Sequence, residues 1–157
     1  RIMFKLYILR LWRAFLFFVC VGFISCNDHY VLLHNFNNET WEMRDSITCS
    51  FVIDDSNKNY ETTIFFRNSL EYPYRNIYLL FELQHNERTI KKDTLEYSIT
   101  NKYGQWMGNG LGRIKNNYFM LNGFSEFHDI GNYKLIITHG MRAEKLIGVD
   151  KLGLKIK

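Results

Sequence analysis

The chain has 157 residues, 46% hydrophobic and 23% charged, with one proline; this excludes a disordered or collagen-like chain and allows one domain, or at most two very small ones. The formal net charge of +4 comes from residues 1–25, which hold Arg1, Lys5, Arg10 and Arg13 and no acid. The remainder balances sixteen basic against sixteen acidic residues, so it lacks the clustered cations of a nucleic-acid footprint.

The first element in chain order is a leader. Its four cations precede an uncharged run from Ala14 to Ile24, the layout of a secretory signal. The run is shorter than the ~20 residues that span a bilayer; an uncleaved anchor is the alternative reading. Phe23-Ile24-Ser25-Cys26 closes the run and resembles a bacterial lipobox, in which the cysteine is acylated and becomes the new N-terminus. An ordinary cleaved signal with a chance cysteine is the bland reading of the same residues. We therefore expect a signal peptide over 1–25 and a lipidated N-terminus and stem over 26–45. With Cys20 in the leader and Cys26 acylated, Cys49 stands alone, so no intrachain disulfide is available. Its place in an alternating apolar run predicts a small buried hydrophobe rather than a reactive thiol.

From Asn27 onward the dominant signal is period two, the pattern of half-buried strands. Ile47, Cys49, Phe51 and Ile53 share a face, as do Tyr60, Thr62, Ile64 and Phe66. The run Ile77, Leu79, Phe81 and Leu83 is apolar on both faces and reads as a central strand. Leu95, Tyr97 and Ile99 alternate next, then Tyr133, Leu135, Ile137 and His139, then Leu152, Leu154 and Ile156. Residues 30–36 and 118–121 are weaker strand candidates, and 141–147 reads as a short helix. Turn chemistry separates the runs at 54–59, 86–88 and 131–132. About eight short strands predict an all-β antiparallel sandwich over 46–157.

No Cys-x-x-Cys, His-Glu-x-x-His, Gly-x-Ser-x-Gly or phosphate-loop motif is present. The five histidines lack ligand spacing, so neither a metal nor a cofactor is expected, and no catalytic residue is assigned. The run from Tyr103 to Gly112 surrounds Trp106 with glycines but has no helix behind it to present free amides to a phosphate. It predicts a loop in which Trp106 packs over backbone; an exposed Trp106 would instead offer a sugar-stacking platform.

Several blocks in order are similar to the GldH-type gliding-motility lipoproteins of Bacteroidota. They are Phe66-Arg67-Asn68, Glu71-Tyr72-Pro73-Tyr74-Arg75-Asn76, Lys92-Asp93-Thr94-Leu95-Glu96, and Gly104 to Gly112. Gly131-Asn132-Tyr133, Met141-Arg142 and Leu146-Ile147-Gly148-Val149-Asp150 complete the set. The resemblance implies an envelope lipoprotein, outer-membrane and facing the periplasm, in contact with proteins of a motility or secretion assembly, without catalysis or cofactor. It marks Arg67, Pro73, Asp93, Trp106, Arg142 and Asp150 as motif positions, with Arg67 and Asp93 a candidate ion pair. The alternative function is a glycan-binding surface lipoprotein using exposed aromatics.

Overall fold

Alternating side chains need two surfaces to satisfy them, a core and water, and the chain supplies both by folding as a sandwich. The computed structural model describes residues 30–124 and 126–157. The expected signal peptide over 1–25 and the expected acylation site, Cys26, lie outside the described residues. In chain order the elements are β1 (Leu32–Asn35), a 3₁₀ turn (Asn37–Glu39), β2 (Thr40–Glu42), β3 (Ile47–Ile53), β4 (Thr62–Ser69) and β5 (Asn76–His85). There follow β6 (Arg88–Ser98), β7 (Ile114–Met120), β8 (Gly131–His139), β9 (Lys145–Ile147) and β10 (Val149–Ile156). Every pairing between them is antiparallel.

One sheet runs β1-β10-β4-β7, the other β3-β8-β5-β6, and the short pair β2-β9 closes one end. The inward residues form one cluster. Ile64 and Phe66 of β4 and Leu152 and Leu154 of β10 belong to it with Ile77, Leu79 and Phe81 of β5 and Leu135 and Ile137 of β8. Full burial of each such side chain contributes about 1.5–3 kcal/mol, so this core is the main source of the fold's stability. Cys49 is buried within it and unpaired.

Hairpin β5–β6 turns on Asn86 and Glu87, both with left-handed φ (48° and 64°), as a two-residue primed turn requires. Strand β6 is an edge, and it blunts that edge with inward charges. Lys91 lies 4.7 Å above the Phe124 ring and hydrogen-bonds the Gly123 carbonyl, while Asp93 stands opposite Phe81. On the same side, Tyr97 stacks on Phe119 of β7 at 4.5 Å and donates to the Met120 carbonyl, tying the two sheets together.

Two expectations are corrected. Residues 141–147 form no helix: 145–147 are β9, whose Leu146 is fully buried opposite Trp41 of β2. Pairing with a strand about a hundred residues upstream overrides the local apolar spacing. The stretch expected to be a stem is, from residue 30, part of the folded body. β1 pairs with β10, and Trp41 is fully buried against Phe36 and His139.

Candidate functional site

The β4–β5 loop and the exit of β8 meet at one end of the sheet that contains β5. Tyr78 donates its N–H to Met141 Sδ at 3.4 Å, and its carbonyl accepts from the Gly140 N–H at 2.7 Å. These bonds hold Met141-Arg142 beside β5. Beneath them Tyr72 is buried, its ring 5.7 Å from Phe66 and its hydroxyl donating to the Asn76 carbonyl. Burial pushes the Tyr72 hydroxyl well above its ordinary pKa, so it stays a neutral donor. Tyr74 packs edge-on against Tyr72. The result is an open groove of about 410 Å³ lined by Tyr74, Tyr78, Gly140, Met141 and Arg142. Pro73 is exposed in the loop that leads into it.

On the outer face of that sheet, Leu80, Ile136 and Thr138 line a second, separate shallow hollow. Its rim is polar. Glu82 accepts from Thr89 at 2.5 Å and pairs with Lys92 at 2.9 Å. The Thr89 hydrogen bond, then those from Lys92 and Gln84, pull its carboxyl down to about 2. The hollow thus pairs apolar side chains with a charged, solvated rim.

Of the remaining motif positions, Asp93 lies at the edge of this hollow and the others fall elsewhere. Arg67 does not meet Asp93: they stand on different sheets, β4 and β6. Arg67 instead pairs with Asp150 at 3.6 Å across β4–β10, and its Nε donates to Asn116 Oδ1 at 2.7 Å. Asp93 caps the Thr94 N–H and, after burial, helps push the Tyr97 hydroxyl up to about 12. Trp106 is half-buried, bridged to Thr100 and packed against the core cluster. The loop that carries it passes so close to β7 that a Cβ on Gly108 would sit 2.6 Å from Asn117 Oδ1. Asn117 is buried, donating to the Phe66 carbonyl and to Asn68 Oδ1.

One arrangement had no signal in the sequence. Arg113, just past the glycine-rich run, forks onto Glu39 at 2.7 and 2.9 Å and reaches Glu71 at 3.3 Å. Glu39 and Asn38 both hold left-handed φ to present that carboxylate, whose pKa the Arg113 hydrogen bonds lower. The partners are 74 and 42 residues apart, and charge pairs at such separations leave no local pattern. Burial lifts the Cys49 thiol to about 11 and leaves it inert. Among the described residues, no group of three His, Cys, Asp or Glu side chains is placed to hold a metal ion.

A family model described as GldH lipoprotein matches residues 28–156. The chain is 30% identical over 154 residues to a gliding motility lipoprotein GldH homolog from Christiangramia forsetii, covering 89% of this chain and 91% of that one. It is 29% identical over 124 residues to the gliding motility lipoprotein GldH of Flavobacterium johnsoniae, covering 74% and 77% respectively. Likeness to solved structures is weak. A family GH115 4-O-methyl-α-glucuronidase aligns with a TM-score of 0.39 at 11% identity, over 83% of this chain and 18% of that one, which carries no argument about function.

Proposed function

This chain belongs to the GldH lipoprotein family, and from that premise we propose that it is a non-enzymatic envelope component, anchored by lipid on Cys26, that works by protein–protein contact in a gliding-motility or secretion assembly. The observation that carries the contact mode is the groove at Tyr74, Tyr78, Met141 and Arg142. Two motif blocks far apart in sequence build it together, and exposed Leu80 packs beside its Gly140. No helix among the described residues is long and apolar enough to cross a membrane. Acylation at Cys26 supports stable attachment, because two or three buried chains bind a bilayer far more tightly than one. Asn27-Asp28-His29-Tyr30 carries no run of acids of the kind that resembles a surface-export signal, which supports an outer-membrane protein facing the periplasm.

The test is site-specific photocrosslinking in intact cells. A crosslinker at Tyr78 or Leu80 is expected to capture discrete envelope proteins, and one at the exposed turn residue Asn57 is not. Identical capture from both positions, or none from either, would count against the reading. Saturable sugar binding lost in Trp106→Ala would favour the glycan-binding alternative instead.

A further inference from the structure

The two sheets present different outer faces. On the β5-containing sheet the outward charges cancel: Lys92 and Lys134 stand with Glu82 and Glu96. On the other sheet, one outward row runs Leu33–Gly153–Phe65–Tyr118 across β1, β10, β4 and β7. The rows on either side carry Lys155, Thr63 and Met120, and Lys151, Arg67 and Asn116. The one carboxylate in these four strands, Asp150, is tied to Arg67 at the β10 bulge. This face is therefore apolar and aromatic; Lys155 is buried beneath the Tyr30 and Tyr118 rings, Lys151 adds a part-exposed cation beside the Arg67–Asp150 pair, and Leu33, Tyr118 and Met120 are each about half exposed.

Tyr30, the first described residue, lies across this same face. Its ring packs 5.6 Å from Phe65, with Lys155 Nζ 4.4 Å above it. Gly153 makes the room, since a Cβ there would meet the Tyr30 ring at 3.0 Å. Only four residue steps separate Tyr30 from Cys26, at most ~14 Å of extended chain. The polar zone of one leaflet is itself about 5–8 Å deep. With lipid on Cys26, a tether this short from Tyr30 would bring this face nearer to the bilayer than the opposite one.

We propose that the outer face of the β1-β10-β4-β7 sheet lies on the membrane surface, with Tyr30, Tyr118, Leu33 and Met120 at headgroup depth and Lys151 and Arg67 facing anionic headgroups. Tyrosine suits that depth because its ring is apolar and its hydroxyl is wet, and lysine and arginine near it are drawn to anionic lipid. The inference rests on the lipid anchor proposed above. It leaves the groove and the Leu80 strip pointing away from the bilayer, free for a protein partner.

The experiment uses the full chain, lipidated and reconstituted in vesicles of phosphatidylethanolamine with a minority of phosphatidylglycerol. Met120→Cys and, separately, Thr94→Cys carry a polarity-sensitive fluorophore; Cys49 is buried and does not compete. Tyr118→Cys is a second probe of the first face, and circular dichroism checks that each variant folds. The labels at 118 and 120 are expected to shift to the blue and be quenched by nitroxide lipids, and the label at 94 to remain water-like. Lys151→Glu is expected to weaken quenching at 120 when phosphatidylglycerol is present. Palmitoylated, vesicle-bound protein whose labels at 118 and 120 stay water-like, or whose three labels quench equally, overturns the orientation and leaves the anchor standing. Protein that carries no palmitate and does not float with vesicles overturns the anchor, and the orientation with it.

Discussion

His139 is a buried base at the end of β8, its imidazole edge-on to Trp41 with ring centroids 5.3 Å apart. Burial outweighs the neighbouring backbone of Trp41 and Met141 and lowers its pKa below the ordinary 6.5. The unfolded chain therefore takes up a proton at a pH where the folded one resists it. Stability is complete above about 6.5 and falls as pH drops through that value toward the folded pKa. Urea unfolding at about pH 7.5 and about pH 5.5 should show this loss, and His139→Phe should flatten it; an equally steep profile in the variant would reject the assignment. Asn117 tests a different kind of burial. Removing its amide in Asn117→Ala strips a partner from Asn68 and from the Phe66 carbonyl. Each orphaned buried group costs about 1–3 kcal/mol, so a loss of about 2–6 kcal/mol is expected in the free energy of urea unfolding, and an effect below about 0.5 kcal/mol would contradict it. At this scale, residue types were legible and partners were not. Cys49 reads as a buried hydrophobe from its alternating run alone. Arg67 and Asp93 read as a candidate ion pair, whereas the partner of Arg67 is set by the β4–β10 register, which places Arg67 opposite Lys151 beside the bulged Asp150.

Strands that bury one face announce themselves, because every second residue must be apolar. That is why β3, β5 and β8 were readable to within about two residues, and why β10 was readable over its apolar second half. Elements defined by what they pair with were not. β9 is three residues long, too short for any period, and its apolar spacing fits a helical turn equally well; β2, with Trp41 alone facing inward, has no pattern at all. The edge strand β6 was read only from Leu95 onward, since its first half carries Lys91, Lys92 and Asp93 where a core strand would carry apolar residues. Those charges have a consequence for assembly. Lys91 and Asp93 point toward the core side of an unpaired edge, so a second β6 docking there would bury them. In Lys91→Val with Asp93→Val the edge becomes an apolar template. Concentration-dependent oligomers should then appear in size exclusion, absent from the parent; a variant that stays monomeric would show that the edge is protected by something else.

At the scale of the whole molecule, the first and last strands are neighbours, and the segment before residue 46 completes the fold rather than leading up to it. β1 extends the β10 sheet by one strand. The 3₁₀ turn then carries the chain to the end of the sandwich, where Glu39 is clamped by Arg113 and β2 pairs with β9. Trp41 is the plug: fully buried, its ring tilted against Phe36 at 4.9 Å, its indole N–H donating to the Asp45 carbonyl at 2.9 Å. Loss of a buried Trp or Phe side chain costs about 3–5 kcal/mol each. Removing both, together with an edge strand, approaches the whole stability of a domain this size, about 5–15 kcal/mol. The family match beginning at residue 28 marks the same extent. A chain of residues 28–157 should therefore unfold cooperatively by heat, with a sheet-rich circular dichroism spectrum. A chain of residues 46–157 should show no cooperative transition and should bind a hydrophobic dye. Cooperative unfolding of the shorter chain at an unchanged midpoint would return residues 30–45 to the role of a tether.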